Sequence, residues 1–173
     1  MYGSGRDGET VLLLAPERAL GDWWRVKTLR LGLLAVCLGF ASLSSAPAEA
    51  DWTTDFAQAQ AKAKTERKLL LLDFTGSDWC GWCKVMEKEI FSQPAFEDYA
   101  KKNLILVRLD FPRTKALGAE VRKQNYALAQ QFGVRGFPTI VMLNGDGKPL
   151  AQLGYVKGGP EAFISELEQV PKS

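Results

Sequence analysis

The sequence predicts one α/β domain in which a mixed central sheet is covered by helices on both faces. Helical and strand patterns alternate along residues 51–173, and two of the apolar runs are continuous, as in strands buried on both faces. A tight turn near Gly145 adds an antiparallel hairpin, which makes the predicted sheet mixed. The 173 residues are 46% hydrophobic and 24% charged, a composition that allows one buried core.

The domain is predicted to begin with a helix and a buried strand. Thr53 and Thr54 precede the alanine-rich stretch 55–68, so we expect a capped helix with Phe56 on its buried side. The run 69–74 (LLLLDF) is continuous and of strand length, which predicts a central strand.

A helical crossover and a second strand follow. Apolar residues recur at helical spacing along residues 84–91, and Ser92 is a candidate cap for a short helix that reaches Lys101. Residues Leu104–Asp110 (LILVRLD) are predicted to form another buried strand. The crossover is long enough for the two strands to pair in parallel.

The last part of the domain combines a helix, a hairpin and a final helix. Residues 119–132 are predicted to be helical and to end at Gly133. The segments Thr139–Leu143 and 150–156 flank an Asn-Gly-Asp-Gly turn, which is typical of a β-hairpin. Two glycines and a proline then open the final helix.

The composition excludes several kinds of chemistry. The chain has no histidine, three cysteines, 22 Lys and Arg and 20 Asp and Glu. Without histidine, Ser-His-Asp catalysis, Cys-His catalysis and imidazole zinc sites are excluded. The net charge of +2 gives no strongly basic balance, so nucleic acid is not an expected partner.

Residues 1–50 are predicted to be an N-terminal extension followed by a secretory signal peptide. Basic side chains in 25–30 lead into the apolar run 31–40, and Ala48 and Ala50 form a small-residue exit. The alternative is an uncleaved membrane anchor, although the apolar run is shorter than the roughly 20 residues that span a bilayer.

We expect translation to start at Val26, through a GTG codon, and the signal to be cleaved after Ala50. The mature domain is then 51–173, and the odd cysteine, Cys37, leaves with the signal. A lipid-anchored start at Cys37 is disfavoured because a β-branched residue precedes it. If translation starts at Met1, the first residues are expected to be an unstructured extension.

Cys80 and Cys83 carry the predicted chemistry. They lie at i and i+3 on the first turn of a predicted helix, where backbone N–H groups and the helix dipole favour a thiolate. We predict that Cys80 is the nucleophile, that Cys83 is the resolving thiol and that the two form a redox-active disulfide. The alternatives are a zinc site, which needs about four ligands, a purely structural disulfide, which usually closes a larger loop, and a chance pair.

Two motifs carry a family resemblance. The sequence WCGWC at residues 79–83, with GFPT at 136–139, resembles the thioredoxin family, and the resemblance covers nearly the whole mature chain, from Thr53 to Val170. More narrowly, the chain is similar to secreted bacterial thioredoxin-like proteins and to the C-terminal domain of the thiol:disulfide interchange protein. The resemblance implies a thioredoxin fold.

The resemblance also implies roles for two residues outside the cysteine motif. Pro138 matches a proline that follows a cis peptide bond and docks the substrate backbone. Asp73 matches a buried carboxylate that takes the proton of the resolving cysteine, although here one more residue separates it from Cys80. The alternative for Asp73 is a strand-end aspartate paired with a lysine. Arg108 falls where thioredoxins carry a lysine near that carboxylate.

Four residues are predicted to contact the substrate; they are Trp79, Gly81, Trp82 and Phe137. The three aromatic rings are expected to form an apolar platform around the sulfurs. The alternative for Trp79 is packing over the edge of the sheet. Oxidases and isomerases of this fold carry a histidine beside the second cysteine that stabilises the thiolate, whereas this chain carries Trp82. We therefore expect a more reducing disulfide couple.

The sequence as a whole predicts an exported thiol:disulfide oxidoreductase, periplasmic or secreted, that reduces protein disulfides by dithiol exchange. No metal or organic cofactor is expected. The expected partners are protein thiols and disulfides and an unidentified redox partner, and we expect a monomer that meets the membrane only through its signal segment. The alternatives are a disulfide oxidase or isomerase in the same compartment, and a module that binds client peptides and has a structural disulfide.

Overall fold

A five-stranded sheet with helices packed on both faces forms the part of the chain that the computed structural model describes, residues 50–171. Its strands are β1 (Trp52–Thr53), β2 (Leu69–Thr75), β3 (Leu104–Asp110), β4 (Thr139–Leu143) and β5 (Pro149–Leu153). Its helices are α1 (Phe56–Glu66), α2 (Gly81–Met86), α3 (Pro94–Asn103), α4 (Ala119–Gln131) and α5 (Gly159–Glu168), and a π-helical turn, Glu87–Phe91, continues α2. This is the thioredoxin fold that the sequence predicts.

The sheet is mixed, as predicted, and its strand order is β1-β3-β2-β4-β5. The pairs β1·β3 and β2·β3 are parallel, whereas β2·β4 and β4·β5 are antiparallel. Thr75 pairs with Asp110 and Phe74 pairs with Thr139. The carboxyl ends of β2 and β3 and the start of β4 therefore lie at one edge of the sheet.

Side chains alternate along the strands, so each face of the sheet has its own core. On one face, Leu70, Leu72 and Phe74 of β2 pack with residues of α1 and α4 such as Ala63 and Leu128. On the other face, Leu71 of β2 packs with residues from α2, the π-helical turn, α3 and α5; they are Met86, Ile90, Phe91, Phe96 and Phe163. The predicted position of helices on both faces is confirmed.

Two of the predicted helix caps are wrong. Asp55, not Thr53 or Thr54, caps α1, because its carboxylate accepts the N–H of Gln58 at 2.9 Å. Gln93 occupies the N-cap position of α3 without a side-chain hydrogen bond, whereas the Ser92 hydroxyl contacts Glu87 at 3.4 Å. In each case the predicted residue lies at least one position too early.

The sequence patterns did not predict β1. This strand is two residues long, and Trp52 and Thr53 pair with Leu106 and Val107 of β3. A two-residue strand shows no alternation, so its pairing partner decides whether it forms. The predicted extension, signal peptide, start at Val26 and odd cysteine Cys37 lie outside the described residues.

Candidate active site

Cys80 and Cys83 form a disulfide at the N-terminus of α2. Cys80 is the N-cap residue, and its Sγ accepts the backbone N–H of Cys83 at 3.2 Å. Both side chains are buried, with 6% and 5% of their surface exposed. The pair therefore sits where the unpaired N–H groups of a helix terminus stabilise negative charge on the first sulfur.

Pro138 lies at the same edge of the sheet. The Phe137–Pro138 peptide bond is cis, as the resemblance implies, and β4 begins at the next residue. The Thr139 hydroxyl donates to the carbonyl of Gly136 at 2.8 Å, which closes the segment before the strand. Phe137 contacts Trp79 edge to face, with 5.8 Å between ring centroids, so this segment packs beside the cysteine motif.

Asp73 is almost fully buried in the centre of β2. By alternation its side chain lies on the same face as Leu71, which packs in the cluster that contains Met86 of α2. Burial raises the pKa of Asp73 to about 7, although the Arg108 guanidinium, whose Nε is 3.7 Å from the carboxylate, acts in the opposite direction. The partner of Asp73 is thus Arg108 rather than a lysine.

Arg108 lies between the buried carboxyl group of Asp73 and the partly exposed carboxylate of Glu87. Its Nη2 donates to the carboxylate of Glu87 at 2.6 Å, and its guanidinium lies 4.4 Å from the ring centroid of Trp52. A cavity of about 540 Å³ is lined by Cys83, Glu87, Arg108 and Thr75, among others. Cys83 and the cation that faces Asp73 therefore line the same cavity.

Trp79 is held in place by its surroundings. Its indole N–H donates to the carbonyl of Phe111 at 2.8 Å, and the guanidinium of Arg113 lies 3.8 Å from its ring centroid. A Cβ on Gly76 would lie 2.6 Å from the indole, so only glycine leaves room for this ring. Trp79 therefore packs into the sheet edge, as the alternative for this residue expects, and it also contacts Phe137.

Trp82 lies in a different environment from Trp79. It is 63% exposed, and its ring contacts Tyr155 at 5.3 Å between centroids. The Tyr155 hydroxyl donates to Glu89, and this hydrogen bond raises the pKa of Tyr155. Gly81 is exposed, and a Cβ there would meet no atom within 4 Å. The three aromatic residues predicted to contact the substrate thus lie in two ring pairs, Trp79 with Phe137 and Trp82 with Tyr155.

Three residues at the site were not predicted as site residues. Glu87 lies one helical turn after Cys83, and this i+4 spacing is the signal that points it toward the same cavity. Asp78 accepts the backbone N–H groups of Arg113 and Thr114, and Tyr155 supports Trp82. The last two contacts join distant segments, so no local pattern signals them.

The described residues 50–171 contain no group of three or more cysteine and acidic side chains that could hold a metal ion. The chemistry that this arrangement supports is thiol–disulfide exchange, because it places two sulfurs at a helix N-terminus, a buried carboxyl group on the sheet face that α2 covers, and an exposed aromatic pair beside the motif.

Comparisons with known proteins agree with this geometry. The family profile described as "Thioredoxin-like domain" matches residues 56–171. The disulfide bond reductase DsbH of Chlamydia pneumoniae is 36% identical over 127 residues, which are 73% of this chain and 76% of that protein. A solved structure of a DsbH oxidoreductase superimposes with a TM-score of 0.66 at 33% identity, covering 78% of this chain and 95% of the other.

A third relative is much longer than this chain. The thiol:disulfide interchange protein DsbD of Pseudomonas fluorescens is 33% identical over 142 residues, which are 79% of this chain. The matched region is 22% of the length of that protein, so the similarity concerns one part of it.

Proposed function

The chain belongs to the family of thioredoxin-like domains and is a thiol:disulfide oxidoreductase, and from this we propose that it is an exported reductase of protein disulfides. The observation that carries the proposal is the Cys80–Cys83 disulfide at the N-terminus of α2, beside the cis peptide bond of Pro138. Relatives named a disulfide bond reductase and a thiol:disulfide interchange protein support it.

The proposed reaction moves two electrons from the protein dithiol to the substrate disulfide. The Cys80 thiolate attacks one substrate sulfur, forms a mixed disulfide and releases the other substrate sulfur as a thiolate, which takes a proton from water. Cys83 then loses its proton to Asp73 and attacks Cys80 Sγ, which leaves the Cys80–Cys83 disulfide and releases the second substrate sulfur as a thiolate that takes up the proton held by Asp73. A carboxyl group with a pKa of about 7 suits this step, because it can both take and return a proton near neutral pH.

The substrate contacts are proposed from the same geometry. Pro138 and Phe137 lie at the sheet edge beside the cysteine motif, where an extended substrate segment can pair with the backbone. Trp82 is exposed and is supported by Tyr155, so it offers a fixed apolar surface. Trp79 is held by Phe111 and contributes mainly by positioning Phe137. Gly81 leaves the approach to Cys80 without a side chain.

The proposed direction of electron flow follows from what surrounds the sulfurs. Trp82 lies in the position between the cysteines where a histidine would supply positive charge, and it supplies none. Lys84, the residue after Cys83, directs its ammonium group to the carbonyl of Asp78, to which it donates at 3.0 Å. The helix terminus is then the main support of a Cys80 thiolate, so the reduced form gains less stability than in strongly oxidising relatives.

We also propose that the protein works in the periplasm or as a secreted protein. Its proposed partners are protein thiols and disulfides, and a separate redox partner that reduces it. Its proposed oligomeric state is a monomer. The signal pattern in residues 1–50 supports export. Among residues 50–171, no helix is long and apolar enough to cross a membrane. No metal or organic cofactor takes part in the proposed reaction.

An insulin reduction assay tests the proposal. With dithiothreitol as the electron source, the wild-type chain is expected to accelerate precipitation of the insulin B chain, and Cys80→Ser is expected to abolish the acceleration. Cys83→Ser is expected to accumulate a mixed disulfide with the substrate, visible by non-reducing electrophoresis. In the uncleaved chain, Cys37→Ser is the matched control, because it removes the cysteine outside the motif, and it is expected to keep the full rate.

Two results would contradict the proposal. A wild-type chain that binds insulin without reducing it would favour a binding module with a structural disulfide. A wild-type chain that oxidises a reduced, unfolded protein faster than it reduces insulin would favour a disulfide oxidase.

A further inference from the structure

A groove of about 800 Å³ lies along the connection from β3 to α4, beside the active site. Four aromatic residues line it, Trp79, Phe111, Tyr126 and Phe137, together with polar residues such as Arg113 and Arg135. The ring of Phe111 contacts both Tyr126, at 5.3 Å, and Phe137, at 5.1 Å. We call this surface the Tyr126 groove.

Tyr126 stands between the groove and a second, smaller cavity. The second cavity has a volume of about 260 Å³ and is lined by Tyr126, Arg113, Lys115 and Arg122, among others. Tyr126 is 62% exposed, and in residues 50–171 it and Trp82 are the two large apolar side chains with this degree of exposure. An exposed aromatic ring between two cavities is typical of a side chain that contacts a partner.

The surface around Tyr126 is positively charged. Residues 111–137 contain five cationic side chains and one carboxylate, Glu120; the cations are Arg113, Lys115, Arg122, Lys123 and Arg135. All five cations are exposed, and none forms an ion pair with a carboxylate of residues 50–171.

The rest of the described chain has the opposite balance. Outside 111–137, residues 50–171 carry 11 cations and 14 carboxylates, a net charge of −3, against 5 − 1 = +4 within the segment. The positive charge is therefore concentrated beside the groove, where its field attracts an acidic partner.

The groove is held in shape by contacts from the active-site loop. The Asp78 carboxylate accepts the backbone N–H of Arg113 at 3.1 Å and that of Thr114 at 2.7 Å. The Trp79 indole fixes the Phe111 carbonyl. A partner that enters a preformed groove loses less free energy to the ordering of loops.

We propose that the Tyr126 groove docks an acidic segment of the protein substrate that carries an aromatic side chain. The aromatic side chain packs against Tyr126 and Phe111, and the neighbouring carboxylates lie against the unpaired arginines. Because Phe137 lines the groove and precedes Pro138, one extended segment can contact the groove and the cysteine motif together. This inference rests on the proposed function and names the substrate class.

Matched peptides provide the test. Each carries one cysteine as a neutral 2-pyridyl mixed disulfide and one phenylalanine, flanked by aspartates in one peptide and by lysines in the other. Reduced Cys37→Ser chain attacks the peptide sulfur through Cys80, and the released pyridinethione is followed by absorbance. We expect the second-order rate constant for the acidic peptide to exceed that for the basic peptide by about fivefold or more, and the ratio to fall as salt is raised.

Variants locate the preference on the surface. In the same background, Arg122→Gln with Arg135→Gln removes one cation from each cavity and is expected to bring the ratio close to one. The control is Lys102→Gln with Lys148→Gln, which removes the same charge at the opposite edge of the sheet, where β3 and β5 begin. This control is expected to keep the ratio. Tyr126→Ser is expected to slow the reaction with the acidic peptide. It is expected to leave unchanged the reaction with a version of that peptide that lacks phenylalanine.

The outcomes separate this inference from the proposed function. Equal rates with the two peptides, or a preference for the acidic peptide that survives Arg122→Gln with Arg135→Gln, would overturn the docking surface, and so would an equal effect of Tyr126→Ser on acidic peptides with and without phenylalanine. Failure to react with the neutral reagent 2,2′-dithiodipyridine would overturn the proposed function, and the docking surface with it. A dimer in sedimentation that Tyr126→Ser dissociates would assign the groove to a second copy of the chain and overturn the inference.

Discussion

At the scale of single residues, Asp73 is the most deeply buried carboxyl group among residues 50–171. It is 3% exposed in the central strand, and its carboxyl group has one nearby cation, Arg108, at 3.7 Å. Arg108 is shared with Glu87, at 2.6 Å, so its charge is divided between two carboxylates. Burial therefore outweighs the attraction, and the pKa of Asp73 rises to about 7.

This raised pKa predicts how stability depends on pH. Between about pH 4 and pH 7 the folded protein holds the Asp73 proton that the unfolded chain has lost, so the free energy of unfolding falls as pH rises through this window. Asp73→Asn removes the ionisation. We expect the variant to exceed wild type in unfolding free energy by on the order of 4 kcal/mol at pH 8, and by almost nothing at pH 4.

Urea unfolding at the two pH values measures this difference. Asp98→Asn, an exposed carboxylate on α3, is the control and is expected to change stability little at either pH. The same difference between Asp73→Asn and wild type at both pH values would show that the Asp73 carboxyl group is not protonated near neutrality.

The residues of the site differ in how far the sequence could predict them. Cys80, Cys83 and Pro138 lie in short local motifs, so their positions followed from the sequence. Glu87 acts through Arg108, 21 residues away, and Tyr155 contacts Glu89, 66 residues away. Such pairs form only when the sheet and helices are assembled, so no local pattern predicted these contacts, although the i+4 spacing from Cys83 places Glu87 at the same cavity.

At the scale of elements, α5 and the π-helical turn support the helix that carries the cysteines. Phe163 of α5 is fully buried, and its ring lies 5.8 Å from Phe91 of the turn and 6.0 Å from Phe96 of α3. The same cluster contains Met86 of α2. The apolar spacing along residues 84–91 predicted a helix there, but not that this helix widens into a π-helical turn.

Truncation of this ring tests the contribution of α5. Phe163→Ala leaves a cavity among three elements and is expected to lower the free energy of unfolding by about 3–5 kcal/mol. Urea unfolding gives the value. Glu166→Ala, exposed on the same helix, is expected to change it by less than about 0.5 kcal/mol. A small effect of Phe163→Ala would mean that α5 adds little to the core.

At the scale of the whole molecule, the sheet brings together groups that lie far apart in sequence. The carboxyl ends of β2 and β3 and the start of β4 share one edge, so the cysteine motif, the cis-proline segment and the loop after β3 all meet there. The alternation of helices and strands predicted the sheet, and the hairpin turn near Gly145 predicted that it is mixed. Neither pattern predicted β1, which pairs with β3 through two residues only.

The proposed function requires a reducing Cys80–Cys83 couple, so the measurement to make is the reduction potential of this couple. The purified Cys37→Ser chain, with these two thiols alone, is equilibrated against glutathione and dithiothreitol buffers, and free thiols are counted after alkylation. We predict a potential closer to about −270 mV than to about −180 mV. A potential of about −120 mV, as in strongly oxidising periplasmic proteins, would show that the couple is oxidising.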